Sequence, residues 1–149
     1  MRVYNFIQSK AVLTSIWILC VVITRAQKRL VLREPRLNVV VVGDIGVPES
    51  MSEVKRRVME TIRKEHDILP FNLGINLGAN VYRSHSQKND FDTLQDVFTS
   101  SFPPRLFKFD FLSVLGRVDY DCDLATQLQY YQYDSRFHMP DRNFYYGFC

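Results

Sequence analysis

The sequence VVVVGDIG, residues 39–46, decides the fold, because an apolar β-branched run ends there at a carboxylate between two glycines. β-branched residues favour strands, and a run without polar alternation is typical of a parallel strand buried on both faces. We therefore predict a strand over residues 37–42 with Asp44 just beyond its carboxyl end. Two later segments end in the same way, LGANVY at residues 77–82 and VLGRVD at residues 114–119.

The segment after the first strand predicts a helix over residues 51–66. Ser50 with Glu53 three residues later forms a capping-box pattern, which satisfies free amides at a helix start. Helical spacing then predicts two faces. The core face should hold Met51, Val54, Val58 and Ile62, and the water-facing side Lys55, Arg56, Arg63 and Lys64.

The rest of the chain continues this alternation. Apolar and aromatic patterns predict strands over residues 68–77, 106–115 and 143–148, and helices over residues 91–98 and 124–131. Alternating strands and helices indicate an α/β domain with a mainly parallel sheet. Such sheets bind ligands at the carboxyl ends of their strands, where Asp44 and the two later motifs lie.

Residues 1–26 have the layout of a secretory signal peptide, with a charge-free run at residues 11–23 and a small residue, Ala26, before Gln27. The alternative is an uncleaved signal anchor, although the run is shorter than the roughly 20 residues of a membrane span. Residues 27–36 form a basic lead-in, and residues 37–149 form the domain. We expect the secretory pathway as the location.

Charge excludes a basic binding surface in the mature segment. The chain has 19 Lys and Arg against 16 Asp and Glu, and Arg2, Lys10 and Arg25 account for the excess. Nucleic acid is therefore not an expected partner. Cys122 and Cys149 remain beyond the signal segment, and whether they pair is left open because two cysteines make no disulfide framework.

Two further patterns have more than one interpretation. Asp119, Asp121 and Asp123 alternate as in a calcium loop, but the glycine and glutamate such a loop needs are Leu124 and Tyr130, so solvated loop acids are predicted. The aromatic-rich end of the chain is expected to pack in the core and sheet, with an exposed contact surface as the alternative. Its members are Tyr130, Tyr131, Tyr133, Phe137, Phe144, Tyr145, Tyr146 and Phe148.

The three strand ends resemble the metallophosphoesterase superfamily and, within it, the purple (tartrate-resistant) acid phosphatases. That family's motifs G-D-W-G, G-D-N-F-Y and G-N-H-D correspond to GDIG at residues 43–46, GANVY at residues 78–82 and GRVD at residues 116–119. The segment DTLQDVFTS at residues 92–100 is also similar. The resemblance implies the N-terminal half of a calcineurin-like αββα sandwich, an incomplete domain.

The resemblance implies a site of two metal ions that activate a water molecule. Asp44 and Tyr82 match two ligands. Ala79 stands at the bridging carboxylate, Arg117 at the asparagine ligand and Val118 at the catalytic histidine. A cation at about 4 Å from a dication costs roughly 8 kcal/mol at an effective dielectric near 20. No cofactor is therefore expected; if one binds, it is a single divalent or iron ion at Asp44.

A narrower resemblance is to the glideosome-associated, acid-phosphatase-like proteins of apicomplexan parasites, in shortened form. It rests on VLG at residues 114–116, Asp119, ATQL at residues 125–128, and Met139-Pro140. It implies a protein partner such as a myosin motor complex, and secretion or an inner membrane complex as the location. Membrane association would come only through an unseen C-terminal segment or an uncleaved signal.

These observations predict a catalytically degraded acid-phosphatase-like domain that acts as a scaffold or interaction protein. The alternative is a metal-dependent acid phosphatase that hydrolyses phosphate monoesters, with Asp44 and Tyr82 completed by ligands from elsewhere. For Asp44 itself, a purely structural turn and residual single-metal binding both stay open.

Overall fold

The computed structural model describes residue 31, residues 35–84 and residues 90–139. All of them except Val31 belong to one compact unit, which spans Leu32–Cys149. The predicted signal peptide, most of the lead-in, Cys149 and the strand predicted over residues 143–148 lie outside the described residues.

The described residues form a mixed α/β fold around a four-stranded parallel sheet. Its strands are β1 (Val39–Val42), β2 (Leu73–Asn76), β3 (Phe111–Ser113) and β4 (Phe137–His138), in that spatial order. Every neighbouring pair is parallel. The predicted α/β class and parallel sheet are confirmed, whereas β4 arises in a segment for which we predicted no strand.

Helices connect the strands. The long helix α1 (Glu53–Ile68) joins β1 to β2, and α2 (Asp90–Leu94) continues into a π-helical turn over Gln95–Thr99. The short helix α3 (Leu124–Gln129) precedes β4. Parallel strands require such crossovers, because a tight turn can join only antiparallel neighbours.

The core is a cluster of aromatic rings between one face of the sheet and the π-helical turn. Phe98 makes edge-on contacts with Phe111 and Phe137, at centroid distances of 5.1 and 5.0 Å. Phe102 lies 4.6 Å from Phe111. All four rings are fully buried. Such ring pairs contribute about 0.5–1.5 kcal/mol each beyond the area they bury, so this cluster anchors β3 and β4 to the helices.

The strands are shorter than predicted, and β1 is less buried. Helix α1 runs through Ile68, where the prediction placed the start of β2, and the strand forms only at Leu73, beyond Pro70. The prediction that β1 is buried on both faces is wrong, because Val41 is 56% exposed. Among the described strands β1 lies at an edge of the sheet, and of its residues Val40 is the buried one, packed on the core.

The start of α1 also differs from the prediction. Ser52, not Ser50, is the N-cap, and its Oγ accepts a hydrogen bond from the Lys55 amide at 3.2 Å. Ser50 lies in a 3₁₀ turn over Glu49–Met51 that precedes the helix.

The core face of α1 was predicted wrongly. Met59 is its buried residue, whereas Met51, Val54 and Val58 are exposed and Ile62 alone of the predicted face packs on the core. Two residues that we expected in water are part-buried instead. The Lys55 ammonium donates to the carbonyls of Ile45 and Val97 at 2.8 and 2.7 Å. The Arg63 guanidinium bonds Glu49 at 2.7 Å and the Ser101 carbonyl at 3.0 Å. These acceptors set the rotation of the helix.

Candidate functional site

The three strand ends meet at the carboxyl edge of the sheet, as their positions predicted. The Asp44 amide donates to the Gly78 carbonyl at 2.9 Å, and the Gly46 amide donates to the Ala79 carbonyl at 3.0 Å. The third motif is equally close, since a Cβ on Gly78 would lie 2.2 Å from the Gly116 nitrogen. Backbone contacts therefore bring all three motifs together.

Two residues of the site have left-handed backbone conformations. Asp44 has φ 59° and Ala79 has φ 57°. This conformation costs an L-residue about 1–2 kcal/mol, less for Asp than for Ala, because a short polar side chain can bond to the local backbone. An aspartate at position 79 would therefore be less strained than the alanine that stands there.

The Asp44 carboxylate and the Tyr82 hydroxyl face each other. The hydroxyl donates a hydrogen bond to Oδ1 of Asp44. The Tyr82 ring lies over Gly46, where a Cβ would come within 2.7 Å of the ring. Asp44 is exposed and Tyr82 is half-buried. The structure thus brings together the two residues that the sequence singled out as matching ligands, and they bond to each other.

None of the other three motif positions singled out by the sequence carries a side chain that ligates metals. Ala79 has only a methyl group, Arg117 is an exposed permanent cation, and Val118 is half-buried and cannot carry a proton. A two-metal site of hard oxygen and imidazole ligands does not fit this donor set. Within residues 35–84 and 90–139, no group of three or more His, Cys, Asp or Glu side chains is arranged to hold a metal ion.

Of the described histidines, His66 lies away from this edge, near the C-terminal end of α1. The Nδ1 atom of His66 accepts from the Phe71 amide at 3.0 Å, and its ring stands 5.0 Å from that of Phe107. His138 lies in β4, and His85 is outside the described residues.

Asp119 is the structural centre of the strand ends. It is fully buried and accepts hydrogen bonds from four backbone amides and one side chain. The donors are Ala79 N at 2.8 Å, Asn80 N at 2.8 Å, Val81 N at 3.0 Å, Gly116 N at 2.7 Å and Gln127 Nε2 at 3.1 Å. The prediction of a solvated loop acid is therefore wrong for Asp119, because the backbone of two loops wraps around it.

The neighbouring aspartates have separate roles. Asp123 is exposed and caps α3, accepting from the Ala125 amide at 3.0 Å and from the Thr126 hydroxyl at 2.7 Å. The hydrogen bond from Thr126 lowers the pKa of Asp123 below its ordinary value. Asp121 is exposed. The solvated-acid prediction holds for these two residues.

A buried amide network supports the Asp119 loops, and the sequence prediction missed it. Asn76 Nδ2 donates to Asn80 Oδ1 at 2.5 Å, and Asn80 Nδ2 donates to Gln127 Oε1 at 3.3 Å and to the Val114 carbonyl at 3.2 Å. Asn76, Asn80 and Gln127 are fully buried. A lone Asn at the end of an apolar strand was the available signal, because a buried amide must find partners.

A second buried polar cluster lies below β4 and was also missed. Arg136 pairs with Asp134 through Nε at 2.9 Å and Nη2 at 2.5 Å, and donates to the carbonyls of Phe102 and Phe107 at 2.6 and 2.8 Å. Thr99 donates to Asp134 at 2.7 Å. Burial alone would raise the pKa of Asp134, but the hydrogen bonds from Arg136 and Thr99 outweigh it and hold that pKa below its ordinary value. This cluster holds the segment before β4 against the backbone at Phe102 and Phe107.

Comparison with models of known protein families gives no match, and a search of curated proteins gives none either. None of the helices among the described residues is long and apolar enough to cross a membrane.

Proposed function

We propose that this chain is a catalytically degraded, acid-phosphatase-like domain of the metallophosphoesterase superfamily that acts as a scaffold or interaction protein. The observation that carries the proposal is the hydrogen bond from the Tyr82 hydroxyl to the Asp44 carboxylate. In the family both side chains would coordinate a cation, whereas here the hydroxyl donates its hydrogen bond to the carboxylate.

The substituted positions support the same proposal. The motif positions come together through the backbone, yet Ala79 and Arg117 supply no anionic or neutral oxygen ligand. Without a base at Val118, a further factor of roughly 10²–10⁴ in rate is lost. The loops hold their positions through Asp119, which needs no metal ion to bring its donors together.

The first experiment measures metal content and phosphatase activity together. We expect the purified full chain to contain less than stoichiometric iron, zinc and manganese, and not to hydrolyse p-nitrophenyl phosphate. Stoichiometric metal with turnover would instead establish the alternative, a metal-dependent acid phosphatase that uses Asp44 and Tyr82.

A restoration variant tests the family assignment itself. Ala79→Asp with Arg117→Asn returns two oxygen ligands, and Asp suits the left-handed backbone at position 79 better than Ala. We expect this variant to bind a divalent ion at least about tenfold more tightly than the parent chain, since added carboxylates dominate affinity for hard cations.

The matched control is Ala125→Asp, which adds one carboxylate at an exposed position in α3, away from the strand ends. It should leave metal binding unchanged. Equal gains in both variants, or no gain in the restored one, would contradict the assignment to this superfamily.

For the partner and the location, we propose a myosin motor complex reached by the secretory route, at an inner membrane complex. This proposal rests on the resemblance at residues 114–116, 125–128 and 139–140. Immunoprecipitation after chemical cross-linking, with mass spectrometry for myosin heavy and light chains, tests it. Recovery of no motor subunit above an untagged control would contradict it.

A further inference from the structure

The outer edge of β1 presents unpaired backbone groups. Among the described strands β1 pairs only with β2. The carbonyls of Asn38 and Val42 point toward β2, where they accept from Asn72 and Leu77 at 2.8 Å. Because successive residues of a strand point their amide and carbonyl groups to opposite sides, Val39 and Val41 direct theirs away from β2. An open edge of this kind is a template for another strand.

Helix α1 adds an apolar flank to this edge. Val54 lies nine residues before Arg63, which is half a turn around the helix, and Arg63 donates to the carbonyl of Ser101, two residues after the π-helical turn. Val54 and Val58 therefore face the other way. Because Phe98 of the π-helical turn packs on β3 and β4, that other side lies toward the edge at β1. Val54 is 73% exposed and Val58 is 50% exposed.

We propose that this edge pairs with the same edge of a second copy of the chain, independently of the function proposed above. In an antiparallel pair, Val39 of one copy lies opposite Val41 of the other, with Val40 on the two-fold axis. This register satisfies the outward amide and carbonyl groups of both valines in each copy. It joins two four-stranded sheets into one of eight strands. The interface is isologous, so it closes at a dimer.

Charge complementarity favours a second copy as the occupant. The same two-fold axis sets the two α1 helices antiparallel on one face of the joined sheet, with the Val54 and Val58 flanks toward each other. Arg57 and Glu65 both lie on this flank, since they follow Val54 by three and eleven residues. The antiparallel arrangement brings Arg57 of each copy beside Glu65 of the other. Arg57 already pairs with Glu53, but that ion pair is exposed. Because exposed pairs contribute little to stability, Arg57 can exchange Glu53 for Glu65 of the second copy.

Sedimentation velocity of the full chain at increasing concentration tests the proposal. We expect a concentration-dependent monomer–dimer equilibrium. Arg57→Glu and Glu65→Arg should each weaken the dimer roughly tenfold or more, because each places like charges together at two symmetric positions. The combined charge swap should restore most of the affinity.

Arg56→Glu is the matched control, since it makes the same charge change on α1 at an exposed position pointing away from the Val54 flank. Val41→Pro removes an outward amide while leaving the bonds to β2 in place, and should also weaken the dimer. The melting curve of each variant by circular dichroism shows whether the fold is kept.

A chain that stays monomeric at its highest soluble concentration would overturn the proposal. So would a dimer that Arg56→Glu weakens as much as Arg57→Glu does, open-ended oligomers, or a different protein bound at this edge.

Discussion

Asp119 and Asp44 are both carboxylates in strand-end loops of one sheet, yet they differ in almost every physical respect. Asp119 is fully buried and accepts five hydrogen bonds, four of them from backbone amides. Asp44 is exposed, and its recorded side-chain partner is the Tyr82 hydroxyl. Removing Asp119 would leave several buried amides without partners, whereas removing Asp44 would leave its surroundings in water.

The difference in burial and hydrogen bonding between Asp119 and Asp44 indicates that the two carboxylates have different roles in the strand-end loops. The buried carboxylate organises the backbone of the second and third motifs, and that task needs no metal ion. The exposed carboxylate instead accepts from the Tyr82 hydroxyl and can be reached from solvent. Asp119 can therefore hold this loop geometry whatever Asp44 binds.

The largest effect should come from Asp119. We expect Asp119→Ala to lower the free energy of unfolding by about 3–5 kcal/mol. The substitution removes a buried carboxylate and leaves the amides that donate to it without an acceptor. Urea denaturation followed by circular dichroism measures it. If this variant does not fold, Asp119→Asn should fold and still lose more than about 1 kcal/mol, since its amide can accept at one atom only.

The Asp134 and Arg136 pair gives the next effect. Arg136→Met should cost about 3 kcal/mol, because it leaves the buried Asp134 carboxylate without its cation and the Phe102 carbonyl without a donor. Asp134→Asn combined with Arg136→Met should cost less than the two single changes added together. Strict additivity in this double-mutant cycle would mean that the two side chains do not act as a pair.

Lys55 predicts a pH dependence of stability. Burial lowers the pKa of Lys55 from 10.5 to about 8 in the folded chain, against a smaller opposing effect of Glu49. Between these values the unfolded chain binds more protons at this residue, so its contribution to the free energy of unfolding rises with pH. Subtracting the pH profile of Lys55→Met from that of the parent chain should isolate this rise.

Tyr130 limits the upper end of that measurement. Burial raises the pKa of Tyr130 above its ordinary value of 10.0, so its contribution falls as pH rises beyond 10. Denaturation between pH 8 and pH 10 is therefore the useful window. A flat difference between the two profiles in this window would show that burial does not lower the pKa of Lys55 in the folded chain.

The smallest effects should come from the Asp44 and Tyr82 pair. Asp44→Asn and Tyr82→Phe should each change the free energy of unfolding by less than about 1 kcal/mol, because an exposed hydrogen bond exchanges with water. The measurement is the same urea titration used for Asp119. If Asp44→Asn lowered the free energy of unfolding as much as Asp119→Ala does, the two carboxylates would contribute equally to stability, contrary to the prediction.

Part of this fold followed from local pattern. The apolar run predicted the strand β1, and helical spacing predicted a helix over residues 91–98, where Leu94, Val97 and Phe98 are fully buried. Periodicity failed for α1, because Val54 and Val58 form as good an apolar stripe as Met59 does with its neighbours. The acceptors for Lys55 and Arg63 decided the rotation, and they come from distant parts of the chain.

The site was predictable to a similar extent. Motif order indicated that the three strand ends would meet, since the carboxyl ends of parallel strands share one edge of the sheet. The role of Asp119 was not predictable from its spacing with Asp121 and Asp123, which are exposed. The path of the backbone from Gly78 to Val81 places three amides around the Asp119 carboxylate, and Gly116 adds a fourth.

We expect the three strand-end loops to form without a metal ion. A thermal melt of the full chain in chelator, repeated with increasing zinc, manganese or ferric iron, tests this expectation most directly. A ligand that binds only the folded state, at a free concentration 100 times its dissociation constant, raises the free energy of unfolding by about 2.7 kcal/mol. We predict the same melting temperature in every condition. The contrary result is a melting temperature that rises with added metal and stops rising at a stoichiometric amount, with no such rise in Asp44→Asn. It would show that a metal ion stabilises these loops.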